Sequence, residues 1–146
     1  MTPADENLTP MAHSARNRCF GCGPANPIGL HLEFLLAENG AVVCLATLPQ
    51  HFEGHPGYAH GGIIATLLDE VMSKTVRALG LTGLTSQLEI VYRFPVHSGV
   101  PIRLEGRLVR IEGRKHWTEA RLLDSKGRVL AEGKGLFVAM RSGHKL

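Results

Sequence analysis

The sequence predicts an α+β domain: one long central helix wrapped by a curved antiparallel sheet of about six strands. Three observations carry this expectation. Residues 62–79 repeat apolar side chains at helical spacing. The segments on either side are short apolar runs broken by turn residues. The 146 residues, 44% hydrophobic and 20% charged, suit one globular domain with a real core.

Residues 1–17 mix Pro, Asp, Glu, Asn and Ser without the basic-then-apolar order of a secretory signal, so a flexible N-terminal arm is expected there. Residues 31–37 and 41–48 read as strands. Glu38-Asn39-Gly40 joins them, and its Asn-Gly pair is a strong hairpin signal. A loop rich in Gly, Pro and His fills 49–60.

The helix follows. Ile63, Ile64, Leu67, Leu68, Val71, Met72 and Val76 form one wide apolar stripe, which asks for a sheet to cover it. Gly80 is a stop signal. Residues 85–95, 101–112, 115–124 and 128–140 read as strands, and Gly113-Arg114 and Asp124-Ser125-Lys126-Gly127 turn the last three into an antiparallel meander. No linker or internal repeat divides the chain, so residues 18–141 form a single domain and 142–146 a C-terminal tail.

Composition narrows the function classes. The net charge of +3 comes from scattered basic residues, and only 5% of residues are aromatic. A basic stripe or stacking platform for nucleic acid is therefore not expected. No run of roughly 18 apolar residues exists to span a membrane. Cys19, Cys22 and Cys44 make an odd count without a signal, which suits a cytoplasmic protein better than a disulfide scaffold.

The segment Tyr58-Ala59-His60-Gly61-Gly62, running on to Asp69-Glu70, carries the chemistry. Two glycines at a helix entrance let another group approach the backbone. First-turn amides lack helical partners and sit at the positive end of the helix dipole, where they can hold a developing oxyanion. Gly62, Thr66, Asp69 and Ser73 share one helix face beside the apolar stripe. A carboxylate bordering buried surface is a candidate general base or nucleophile, because partial desolvation raises its basicity. Spacing alone leaves the plainer reading open: a turn followed by a solvated helix face.

His60-Gly61-Gly62, with Asp69 nine residues after the His, resembles the signature of hotdog-fold acyl-CoA thioesterases of the phenylacetate-pathway and mammalian kind. Cys19-Phe20-Gly21-Cys22-Gly23 with Asn26-Pro27 and Gly29-Leu30, the loop from Phe52 to Ala59, and the strand from Thr85 to Pro95 resemble the same group. The likeness runs from about Arg18 to Met140. It implies a homodimer, often paired again into a homotetramer, that hydrolyses acyl-CoA thioesters. On this resemblance Asp69 is the base or nucleophile and Thr85 orients the attacking water. The Gly61 amide polarises the thioester carbonyl, with His60 beside it. Some relatives carry Asn or Gln where this chain has Gly54. A non-catalytic acyl-CoA-binding or regulatory hotdog protein is the alternative reading. Hotdog dehydratases place a His five residues after the Asp, where this chain has Lys74.

Helix geometry adds a constraint. Eight residues separate Gly61 from Asp69, a rise of about 12 Å at roughly 1.5 Å per residue. Asp69 and Thr85 of one subunit are therefore expected to work with His60 and Gly61 of the partner.

Gly62 is expected to admit substrate at the helix entrance, and Arg93, Arg110, Arg114 and Lys115, with Lys134, are candidates for the CoA phosphates. Singly, each basic side chain also fits a solvated strand or turn. Trp117 and Phe137 suit sheet packing. Cys19 and Cys22 are spaced like half a zinc or redox site, but Cys44 lies far off in a strand and His31 or His51 would have to complete the ligand set, so a glycine-rich turn with two small packed side chains is the plainer reading. His51, His55 and His60 crowd one loop without metal-ligand spacing. Neither a metal nor a cofactor is expected.

Overall fold

In a computed structural model describing residues 7–141, an open antiparallel sheet of seven strands packs against one long helix. The elements are β1 (Leu8–Pro10), β2 (Leu35–Ala37), β3 (Val42–Thr47), α1 (Gly61–Arg77), β4 (Gly83–Tyr92), β5 (Pro101–Glu112), β6 (Lys115–Leu123) and β7 (Val129–Ala139). Their order across the sheet is β1-β2-β3-β5-β6-β7-β4. Strands β5, β6 and β7 build the expected meander, and α1 crosses from β3 to β4 at the far edge.

One strand more than expected is present among the described residues. Leu8–Pro10, inside the segment read as an arm, pairs antiparallel with β2. Three residues are too few to show alternation, and Pro10 sits on an outermost strand, where its missing N–H breaks no ladder. The first six residues and the tail expected at 142–146 lie outside the described residues. β2 is also shorter than 31–37, because His31 adopts φ 51, a left-handed conformation that interrupts an extended run. The β2–β3 hairpin forms as expected, with Gly40 at φ 87.

The core lies between α1 and the sheet. Leu67, Leu68, Val71, Met72 and Val76 of the helix meet Leu104, Leu122 and Phe137 of β5, β6 and β7. Gly106 sets how close they come: a Cβ there would stand 2.7 Å from the Val71 carbonyl oxygen. Any side chain at 106 would push the helix off the sheet. Cys44 is buried in β3, and burial, with the Glu33 and Glu70 carboxylates nearby, pushes its thiol up to about 12. On the outer face, Glu105 bonds Arg103 at 2.8 Å and Arg121 at 2.5 Å. Burial raises that carboxyl, but the hydrogen bonds and charges of the two arginines more than offset it, holding Glu105 below the usual range.

Two features of β4 bear on the chemistry of the helix. It is an edge strand, paired among the described residues only with β7, and it leaves Leu84, Leu88, Val91 and Tyr92 exposed. Its ladder also slips by one residue, Thr85 facing Phe137 and Gln87 facing Leu136, so Ser86 is a bulge.

Candidate active site

The helix entrance is shaped by its cap. His60 is the N-cap residue with φ −62 and ψ 138, and its Nδ1 accepts the Gly62 amide at 2.9 Å. That bond places the ring proton on Nε2 and leaves this N–H as an outward donor. The His60 carbonyl takes the Ile63 and Ile64 amides. Among the described residues, the Gly61 amide is then the first-turn donor left without a partner. A Cβ at Gly62 would meet His60 Nδ1 at 3.1 Å, a tight contact that the ring would have to ease by a few tenths of an ångström.

The loop before the helix is fastened to the segment after β4. The Ala59 amide donates to the Val96 carbonyl at 2.8 Å, and the His60 amide to the Phe52 carbonyl at 2.9 Å. Ser98 donates its hydroxyl to Glu53, and this bond, with the Gly57 amide, holds the Glu53 carboxyl below its ordinary range. Gly54 lies against His60, where a Cβ would meet the His60 Cα at 3.3 Å.

Two turns along α1, half-buried Asp69 accepts a hydrogen bond from Thr85 Oγ1 at 2.7 Å on its Oδ1. Oδ2 is left as an open acceptor among the described residues. The structure thus brings together Asp69 and Thr85, sixteen residues apart in sequence. It keeps both in one chain with His60 and Gly61, but at the other end of two helical turns.

The bulge at Ser86 is what aims Thr85. Tyr92 reaches α1 by donating its hydroxyl to the Gly61 carbonyl at 2.8 Å, and Ile90 packs against the core under the helix. Thr85 is an odd number of residues from Ile90, so a regular strand would turn them to opposite faces. The extra residue flips the parity, and Thr85, Ile90 and Tyr92 all face α1. Sequence reasoning misses Tyr92, whose only signal there is an aromatic residue in a strand. It braces the Gly61 peptide from its carbonyl side.

The candidate phosphate ligands divide into two groups. Arg93 lies beyond the end of β4, and its guanidinium forks onto Glu132 at 2.7 and 2.8 Å. Arg110, Arg114 and Lys115 gather at the β5–β6 hairpin end. There Arg110 stacks on Trp117 at 3.9 Å and pairs with Glu112 at 3.3 Å, while Arg114 bonds the Ala139 carbonyl at 2.8 Å. A groove of about 1240 Å³ over β3, β5 and β6 includes none of Asp69, Thr85, His60 or Gly61 in its walls.

A family model described as thioesterase superfamily matches residues 56–131, from just before the helix entrance into β7. The chain belongs to the thioesterase superfamily. It is 29% identical over 116 residues to acyl-coenzyme A thioesterase THEM4 of Xenopus laevis, a match covering 77% of this chain and 52% of the relative. To acyl-coenzyme A thioesterase THEM5 of Mus musculus it is 34% identical over 101 residues, covering 68% of this chain and 40% of that one. The chain therefore spans about half the length of the curated relatives it matches, or less. A crystal structure of a thioesterase superfamily protein superposes with a TM-score of 0.78 at 32% identity, covering 83% of this chain and 60% of that one. One long helix against the open antiparallel sheet is the hotdog fold of this superfamily. No helix among the described residues is long and apolar enough to cross a membrane.

Proposed function

We propose that this chain hydrolyses acyl-CoA thioesters to the free acid and CoA, with Asp69 as the reacting carboxylate. The observation that carries the reading is the Thr85–Asp69 hydrogen bond at 2.7 Å beside an open Oδ2. As general base, Oδ2 takes a proton from a water that attacks the thioester carbonyl carbon. The tetrahedral oxyanion collapses, the carbon–sulfur bond breaks, and the CoA sulfur leaves with a proton. As nucleophile, the same oxygen attacks the carbon first, the carbon–sulfur bond breaks as CoA thiolate leaves, and water then hydrolyses the mixed anhydride to the free acid and the regenerated Asp69 carboxylate. Thr85 holds the carboxylate in one rotamer and offers its own oxygen to the water.

The oxyanion needs a donor, and the unpartnered Gly61 amide fits that task. Gly61 and Asp69 are eight residues apart on α1, about 12 Å of rise at roughly 1.5 Å per residue. An attacked carbonyl lies within roughly 3.5 Å of its nucleophile, so one chain cannot supply both groups to one thioester. The site is therefore a dimer's, Asp69 and Thr85 facing Gly61 and His60 of a second copy. The edge strand β4, with exposed Leu84, Leu88 and Val91, supports pairing there. A dimer of such dimers is the larger assembly expected.

Arg110, Arg114 and Lys115 at the hairpin end are the candidate contacts for CoA phosphates, while Arg93 is already held by Glu132. Gly62 keeps the helix entrance open to substrate, its own amide given to His60. The three free cysteines favour work in the cytoplasm.

Thiol release from a panel of aliphatic and aromatic acyl-CoAs tests the reading. At least one ester should turn over, and Asp69→Ala should lower kcat by about 10²- to 10⁴-fold. Full turnover by Asp69→Ala would overturn the assignment. CoA esters bound without thiol release from any of them would favour a binding protein.

A further inference from the structure

Glu70 follows Asp69 but points about 100° further round the helix, away from Thr85 and into the turn that holds Cys19 and Cys22. Its Oε1 lies 3.3 Å from Cys19 Sγ. Gly21 makes the approach possible, since a Cβ there would stand 2.3 Å from Glu70 Cδ. One donor atom from each of Cys19, Cys22 and Glu70 lies within 4.8 Å of the other two. Glu70 Oε2 is buried without a hydrogen-bond partner, its neighbouring cation Lys74 Nζ standing 4.0 Å off.

The two sulfurs are surrounded by donors. The backbone amides of Cys22 and Gly21 lie beside the Cys19 sulfur. Cys22 Sγ has Lys74 Nζ at 3.1 Å and Asn17 Nδ2 at 3.5 Å. Such donors suit a metal-bound thiolate, whose sulfur carries charge to be satisfied.

We propose that Cys19, Cys22 and Glu70 bind a divalent transition-metal ion of the zinc class, tying the N-terminal segment to α1. Tetrahedral zinc, with thiolates at about 2.3 Å and a carboxylate at about 2.1 Å, sets its ligand atoms roughly 3.6–3.8 Å apart. The Cys19–Glu70 pair opens slightly from 3.3 Å to reach that spacing, and the other separations, all within 4.8 Å, close by at most about 1 Å. Each thiol gives its proton to solvent on binding. A dication with two thiolates and one carboxylate carries one net negative charge, which the Lys74 ammonium balances from just outside the ligand set. A hollow of about 230 Å³, walled by His13, Cys22, Pro24, His31 and Glu33, opens beside Cys22.

Cobalt(II) titrated into the reduced, metal-free full chain tests this. One equivalent should bind with a thiolate-to-cobalt charge-transfer band that zinc abolishes. The band should be lost in the Cys19→Ser, Cys22→Ser double variant, and Glu70→Gln should weaken binding roughly tenfold. Should the double variant not fold, wild-type protein still decides: zinc should shield Cys19 and Cys22 from maleimide, read by peptide mapping. Absence of the band, a band unchanged in the double variant, or labelling rates indifferent to zinc would each overturn the proposal.

Discussion

Thr85 and Asp69 are joined by a 2.7 Å hydrogen bond between an edge strand and the middle of the helix. The bond depends on one extra residue, Ser86, which turns Thr85 toward α1. It constrains the carboxylate and leaves one of its oxygens open.

Removing the hydroxyl should therefore act on the chemical step. Thr85→Val is expected to lower kcat about tenfold, the worth of one hydrogen bond to a charged group, with KM little changed. Thr85→Ser should restore most of the rate. A Thr85→Val effect confined to KM would contradict the positioning role.

The Gly61 amide can be deleted almost without disturbing the fold. Gly61 is the first helical residue, where proline is tolerated, and His60 at ψ 138 already has the conformation that a residue before proline needs. A Cβ at 61 meets only the Tyr92 ring, at 3.8 Å. Gly61→Pro should keep the wild-type melting temperature and lose about 10²- to 10³-fold in kcat. Mixed with Asp69→Ala chains, it should regain part of the activity in heterodimers, each of which holds one intact site. Heterodimers with no recovered turnover would sink the shared-site geometry.

His60 also has a structural task that stability measurements isolate. His60→Ala should cost about 1 kcal/mol through the lost cap on Gly62. His60→Asn, a good capping residue, should recover it in urea unfolding. Equal loss in both variants would count against the cap.

Acid should weaken the outer face of the sheet at Glu105. Its carboxyl is held below the ordinary value in the folded chain, so the stability it contributes is present above about pH 4.3 and is lost as pH falls through the folded value. With part of the pair open to solvent, the contribution is about 1 kcal/mol. Glu105→Gln should remove that share at neutral pH and flatten the corresponding part of the acid melting curve.

What the sequence determined by itself was local. The apolar stripe from Ile63 to Val76, the Asn39-Gly40 turn and the turns that separate β5, β6 and β7 each arise within a few residues, where helical spacing or turn chemistry dictates the local structure. Spacing placed His60 to Asp69 at a helix entrance and along one helix face, while the roles expected of these residues came from the resemblance to hotdog-fold thioesterases. Only the tertiary structure could decide the rest. β1 exists because β2 offers it an edge, and Thr85 faces α1 because the β4–β7 register slips at Ser86. Glu70 reaches Cys19 across 51 residues because packing lays the N-terminal turn on the helix, with Gly21 leaving room. Register and close packing are properties of two segments in contact, and no pattern within either one contains them.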